Sequence, residues 1–216
     1  MSWILRASAI RFKEYDRIVS VKGLSEREMP ADVGVWPIRF TAANNDLAAL
    51  YATMDSNAKQ VTTFLVDAGF DASEIGAEAP IVTDKLAQQY GNPNNVQLRY
   101  TARQTVTVYS GKIDPVRKVQ NNLGELGKKG IPFGGDDYQQ VQYLFTKLND
   151  IKPAMIEEAT KKAREVAAKF ANDSSSKLGR IRSANQGQFS VEDRDSNTPY
   201  VKKIRVVSTV DYYLSD

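Results

Sequence analysis

Near its end the chain reads "KKIRVVSTVDYYL". Ile204, Val206, Val210, Tyr212 and Leu214 share one parity, while Lys203, Arg205 and Asp211 lie between them. Successive side chains of a strand point to opposite faces, so this alternation specifies a strand with one buried and one solvated side. Such a strand needs partner strands and a layer to cover its apolar side. Segments 16–23 and 33–41 read as a strand pair joined by "LSEREMPA", with Pro37 arguing for an edge or a bulge in the second. Further strands are read in "LRYTARQTVTVYSG", in "YQQVQYLFTK" and in "LGRIRSANQGQFSVED". "DRDSNTP" supplies the turn chemistry of a long hairpin loop before the last strand.

Three helices separate these strands. Leu47, Leu50, Met54, Ala58, Val61, Leu65 and Ala68 form one stripe, with Asn45 or Asp46 to cap its start and Gly69 to end it. Ile113, Val116, Val119 or Gln120, Leu123 and Leu126 form a second, closed by Gly127, Gly130 and Pro132. In the third, Pro153 suits the first turn, and Ile156, Ala159, Ala163, Val166 and Phe170 make a narrow face of small residues that can lie close to a sheet. Adjacent strand pairs at both ends favour antiparallel hairpins over a doubly wound parallel sheet. The expected fold is therefore α+β: two layers, a mainly antiparallel sheet with three helices, divisible into two small lobes. Residues 1–15 read as a stump or linker and 16–216 as a single unit with an inner lobe around 96–148. The Asn-, Gly- and Pro-rich "QYGNPNNVQ" is the best internal boundary.

Composition narrows the chemistry. The chain has 216 residues, 42% hydrophobic and 25% charged, as in ordinary globular domains. It contains neither cysteine nor histidine. That removes disulfides, thiolate nucleophiles, thiolate metal sites and the commonest general acid/base. Carboxylate, Lys, Tyr, Ser or Thr chemistry is what is left, and no enzyme is expected. With 29 Lys and Arg against 26 Asp and Glu, the net charge is only +3, and cations alternate with acids. No nucleic-acid partner follows from that pattern. "MSWILRASAIRF" is too short and too interrupted by Arg6 and Arg11 to cross a bilayer.

Each catalytic pattern is broken. Asp193, Asp195 and Asn197 start like a calcium loop, but Thr198 stands where glycine belongs and Ile204 where glutamate does. Ser174 and Lys177 have the S-x-x-K spacing without its companion motifs, and a polar helix exit explains them. "LGELGKKG" has Asn122 and Lys129 at positions a phosphate loop requires to be Gly and Ser or Thr. Asp136 and Asp137 in "FGGDD" read as a turn. No metal or cofactor is expected. Glu26, Arg27 and Glu28 are read as a polar turn between two strands, or as part of a contact with another subunit. Of Tyr212 and Tyr213, one should face the core and the other solvent, as a candidate contact.

"DRIVSVKGLSEREMPADVGVWPI" resembles the opening of bacterial SIMPL-domain proteins, with its V-x-V-x-G strand and E-R-E-like run. "EEATKKAREVAAKF…KLGRI" is similar to that family's alanine-spaced helix and L-G-x-I/V strand, and "IRVVSTVDYYL" to its final strand. The helix exit "FANDSSSKLG" departs from the leucine-alanine pair and short glycine turn common in the family. The resemblance implies an α+β fold and a bacterial cell-envelope setting, periplasmic or facing the periplasm from an anchor. It also implies links to envelope or oxidative-stress tolerance, homo-oligomers in some members, and no established catalytic residues. On this basis residues 1–15 are expected to follow a removed anchor. The expected function is non-catalytic, acting through self-assembly or an envelope protein partner. The alternative is a module that holds a small ligand or peptide between two lobes.

Overall fold

The computed structural model describes residues 17–87, 97–133 and 140–215. Its strands and helices begin β1 (Ile18–Pro30), β2 (Val33–Asn44), α1 (Leu47–Asp67), β3 (Ile75–Ala77), β4 (Ile81–Asp84) and β5 (Tyr100–Ser110). They continue α2 (Ile113–Asn121), α3 (Gly124–Lys128), β6 (Gln142–Leu144), α4 (Leu148–Asp173), β7 (Lys177–Gln186), β8 (Ser190–Asp193) and β9 (Val201–Ser215). The chain divides into two compact units. One is built from its two ends, through Pro30 and from Phe145 onward; the other spans Ala31–Leu144. The fold is α+β with antiparallel sheets of four and five strands.

In the terminal unit β9 is the central strand. Its even-numbered residues Ile204, Val206, Val210 and Tyr212 are buried, as the alternation requires. β1 pairs with it without interruption from Ile18↔Tyr213 to Pro30↔Val201. β7 and then β8 take its other side. Helix α4 covers the buried face, and its contact side is a ridge at every fourth residue: Met155, Ala159, Ala163, Ala167 and Ala171. Ala163 and Ala167 pack with Val21, Val210 and Tyr212; Met155 and Ala159 pack with Ile204 and Val206.

This closeness depends on Gly23. A Cβ built there would sit 1.8 Å from the Ala159 carbonyl oxygen and 2.6 Å from the Ala163 nitrogen. The helix backbone therefore lies directly against the strand, with no side chain between them.

Four expectations are corrected here. β1 and β2 are not a hairpin: β1 pairs with β9, and β2 pairs with β5 and β6 in the other sheet. The "LSERE" run is not a turn, because β1 continues through it to Pro30. Its charges suit a strand, since each is met by an opposite charge on a neighbouring element. Helix α4 begins before Pro153, so that proline lies inside it. Its inner face also follows the small residues: Val166 and Phe170, expected on the inner stripe, are exposed, Phe170 at 56%. Bulk at those positions would hold the helix off the sheet.

In the inner unit α1 packs on β5 and β2. Trp36, Ile38 and Phe40 of β2, Ala102, Val106 and Val108 of β5, and Leu50, Met54, Val61 and Leu65 of α1 are buried. The ends of α1 are as read: the Asp46 carboxylate accepts the Ala49 N–H at 2.8 Å, and Gly69 has φ +97°. The second expected helix is two short ones, with Gly127 inside α3 and Gly130, at φ +87°, after it. Residues 1–15, Asp136 and Asp137, and all of "QYGNPNNVQ" but Gln97 lie outside the described residues.

Gly23→Ala should destabilise the protein by about 3 kcal/mol, the upper range for overpacking a tight contact. Gly76→Ala, whose Cβ would meet nothing within 4 Å, is the control and should change stability by less than about 0.5 kcal/mol. Urea unfolding of both variants measures the difference.

Candidate functional site

Glu26, Arg27 and Glu28 alternate across β1. Glu26 and Glu28 lie on the outer side, where Glu26 meets Lys203 at 3.0 Å and Glu28 meets Arg194 at 3.5 Å. Arg27 points to the helix side and reaches Glu158 of α4 at 3.5 Å. Glu158 also accepts from the buried Ser25 hydroxyl at 2.9 Å and from Lys162 at 2.7 Å. Those donors, Lys162 first and Ser25 next, hold the Glu158 carboxyl below its ordinary range. The cluster thus latches β1 to β9 and α4, and both its carboxylates are matched by cations.

Tyr212 and Tyr213 lie at the other end of the same ladder, opposite Val19 and Ile18. Glu26 opposes Arg205, eight residues from Tyr213 along β9, or about 27 Å at strand rise. The structure does not bring the two expected groups together. Tyr212 is the core-facing member of its pair at 3% exposure, and Tyr213 is half-buried on the opposite face. The Tyr212 hydroxyl is buried and has no hydrogen-bond partner.

Tyr212 lines a cleft of about 760 Å³ between α4 and β7. The helix contributes Glu157, Thr160, Lys161 and Arg164; the strand contributes Gly179, Arg180 and Ile181. β7 is bulged here: Leu178 opposes Leu214 and Ile181 opposes Tyr212, so Gly179 and Arg180 share one opposite residue. A bulge bends its strand and re-aims the side chains on it. Gly179 permits the close approach, since a Cβ there would lie 2.9 Å from the Tyr213 carbonyl oxygen. Sequence reasoning missed Lys161, Arg164 and Arg180 as a group. The spacing of Glu157, Lys161 and Arg164 on one helix face was a readable signal. The bulge that brings Arg180 to them was not.

The other motifs have structural roles. Asp195 accepts the N–H groups of Asn197 and Thr198 at 2.9 and 2.8 Å, forming the tip of the loop between β8 and β9. Ser174 closes α4, Ser175 takes φ +54°, and Lys177 opens β7. Among the described residues no group of three or more carboxylates converges as a metal site, and no helix is long and apolar enough to cross a membrane.

In the inner unit Glu74 accepts from the Ser110 hydroxyl at 2.6 Å, from the Asp71 N–H at 2.8 Å and from Lys112 at 3.0 Å. The Ser110 hydroxyl foremost, then the Asp71 amide, lower its pKa from 4.5 to about 2. Lys112 also holds Asp71 at 2.8 Å and the Gly69 carbonyl at 3.0 Å, tying the end of α1 to the start of α2.

The family model for SIMPL, a protein of unknown function (DUF541), matches residues 19–211, from the second residue of β1 into β9. The chain belongs to the SIMPL family. No curated protein matches this SIMPL chain. The matched range spans both units.

The Glu74 contacts give this SIMPL protein a signed pH dependence. A carboxyl whose folded pKa is depressed stabilises above its unfolded pKa, and that stabilisation is lost as pH falls through the folded value. The Glu74 contribution should be complete above pH 4.5 and disappear toward pH 2. Glu74→Gln should cost about 1 kcal/mol at neutral pH, reduced by partial solvent screening. It should also show a smaller stability loss than the parent across that acid interval, by urea unfolding at each pH.

Proposed function

We propose that this SIMPL protein is a non-catalytic component of the bacterial cell envelope that works by assembling with further copies of itself along the free edge of β1. The observation that carries the reading is the edge itself. β1 runs for 13 residues without a bulge, pairs with β9 on one side, and among the described residues has no strand on the other. A long unpaired edge presents a row of free backbone donors and acceptors, which proteins usually shorten, bulge or cover. The opposite edge strand β7 carries two bulges; β1 carries none.

The β1 sequence is also complementary to itself. In an antiparallel pairing of two copies centred on Leu24, Lys22 faces Glu26 twice and Ser20 faces Glu28. Leu24 is 38% exposed and Ile18 40% exposed, and Lys22 has no ion-pair partner among the described residues. Such a two-fold interface uses the same surface on both copies. The pairing of Glu26 and Glu28 with cations supports a mechanical role over acid/base work. The absence of cysteine fits the oxidising periplasm. The family resemblance supports the envelope setting and a role in tolerance of envelope or oxidative stress.

Sedimentation velocity across a concentration series tests the reading. The parent should show an assembled species. Lys22→Glu should weaken it by about tenfold or more, because like charges then face one another. Adding Glu26→Lys should restore it. A parent that stays monomeric at every concentration overturns the assembly, and an assembly indifferent to Lys22→Glu overturns the β1 register.

A further inference from the structure

We infer that the cleft between α4 and β7 binds an amphipathic organic anion, a phosphate or carboxylate carried on an apolar body. Two independent observations meet there. Lys161 and Arg164 from the helix and Arg180 from the strand line one cavity, and none makes an ion pair among the described residues. Elsewhere on the same helix the cation Lys162 is matched by Glu158 at 2.7 Å. Within the cleft only Glu157 opposes three positive charges. One carboxylate against three cations leaves the cleft a net positive charge, and an anion placed there gains charge-assisted hydrogen bonds.

The second observation is Tyr212. Its side chain lines the cleft at 3% exposure, and its hydroxyl is among the few buried polar atoms with no partner. Buried polar groups are nearly always paired, by protein, ordered water or ligand, and this hydroxyl has no partner among the described residues. A phosphate or carboxylate oxygen is a pure acceptor and suits a phenol donor. Ile181 and the Tyr212 ring supply apolar surface for the body of the ligand. The bulge at Gly179 and Arg180 distinguishes the cleft from a chance hollow. It puts Arg180 on the wall of the same cleft as Lys161 and Arg164, at a place where an unbulged strand would have continued its alternation.

This inference does not rest on the assembly reading. β1 and β7 flank β9 on opposite sides, so Lys22→Glu leaves the cleft intact. That variant should bind the anion as the parent does, which keeps the two proposals separable.

The test is calorimetric titration of the full chain with monododecyl phosphate below its micelle concentration, with inorganic phosphate, and with phosphatidylglycerol vesicles. Monododecyl phosphate should bind saturably, one per chain. Inorganic phosphate should bind about tenfold more weakly or worse, lacking the apolar contribution. The double variant Arg164→Glu with Arg180→Glu should lose about tenfold or more in affinity through lost charge-assisted contacts. Tyr212→Phe keeps the ring and removes only the hydroxyl; it should lose roughly fivefold while folding normally, as expected for one hydrogen bond. Equal affinity for inorganic phosphate overturns the amphiphile. Heat with vesicles alone overturns the cleft in favour of a membrane surface. Binding that falls with charge reversal but is unchanged in Tyr212→Phe overturns the site in favour of nonspecific attraction.

Discussion

The terminal unit depends on one contact, the backbone of α4 lying on Gly23 of β1. Where a strand carries no side chain and a helix presents only alanines, the two main chains approach until their own atoms touch. That distance sets the positions of the other contacts on this face. It lets Val21, Val210 and Tyr212 close around Ala163 and Ala167, and Ile204 and Val206 around Met155 and Ala159. It also places Glu158 within reach of Ser25 and Arg27, so the polar latch follows from the apolar fit. Small residues in this arrangement contribute by closeness: each buries little surface alone, and together they allow the larger neighbours to be buried fully.

The order of the chain adds a second constraint. β1 and β9 pair along their whole length although the inner unit, Ala31–Leu144, stands between them in sequence. Joining the ends costs more entropy as the intervening chain lengthens, but only logarithmically. The Lys112, Asp71 and Glu74 network ties the inner unit together locally, beside the buried Phe70. Charge serves as a fastener in both units, at positions that are partly solvated and where burial alone would be weak. Ion pairs of this kind fasten elements where apolar contact is limited.

The same sheet has two different sides. Along β1 the ladder is regular, and no described strand pairs with its outer edge. Along β7 two bulges and Gly179 break the regularity and open a basic cleft beside α4. Regular edges suit repetition of one chain against another, whereas bulged edges suit particular side-chain arrangements. The proposed assembly and the proposed anion site thus rest on features that the fold keeps apart.

Much of this was legible from local pattern. Strict alternation named β9 and its buried face, capping and a left-handed glycine placed both ends of α1, and turn residues named the loop at Asp195. Motif order identified the family. Local pattern misled where two elements had to be weighed together. Apolar periodicity chose Val166 and Phe170 for the inner side of α4, but the sheet accepted Ala167 and Ala171 because closeness excludes bulk. Three adjacent charges read as a turn, but β1 carries them because β9, α4 and Arg194 in the loop before β9 supply their counter-ions. The meeting of Lys161, Arg164 and Arg180 depends on a register slip that no single segment encodes. Spacing within single segments was enough for the alternation of β9, the stripe and ends of α1 and the presence of a helix at α4, since those are local. Strand pairing, the face α4 turns inward, the extent of β1 and the meeting of charges came from packing, since they depend on distances between segments far apart in the chain.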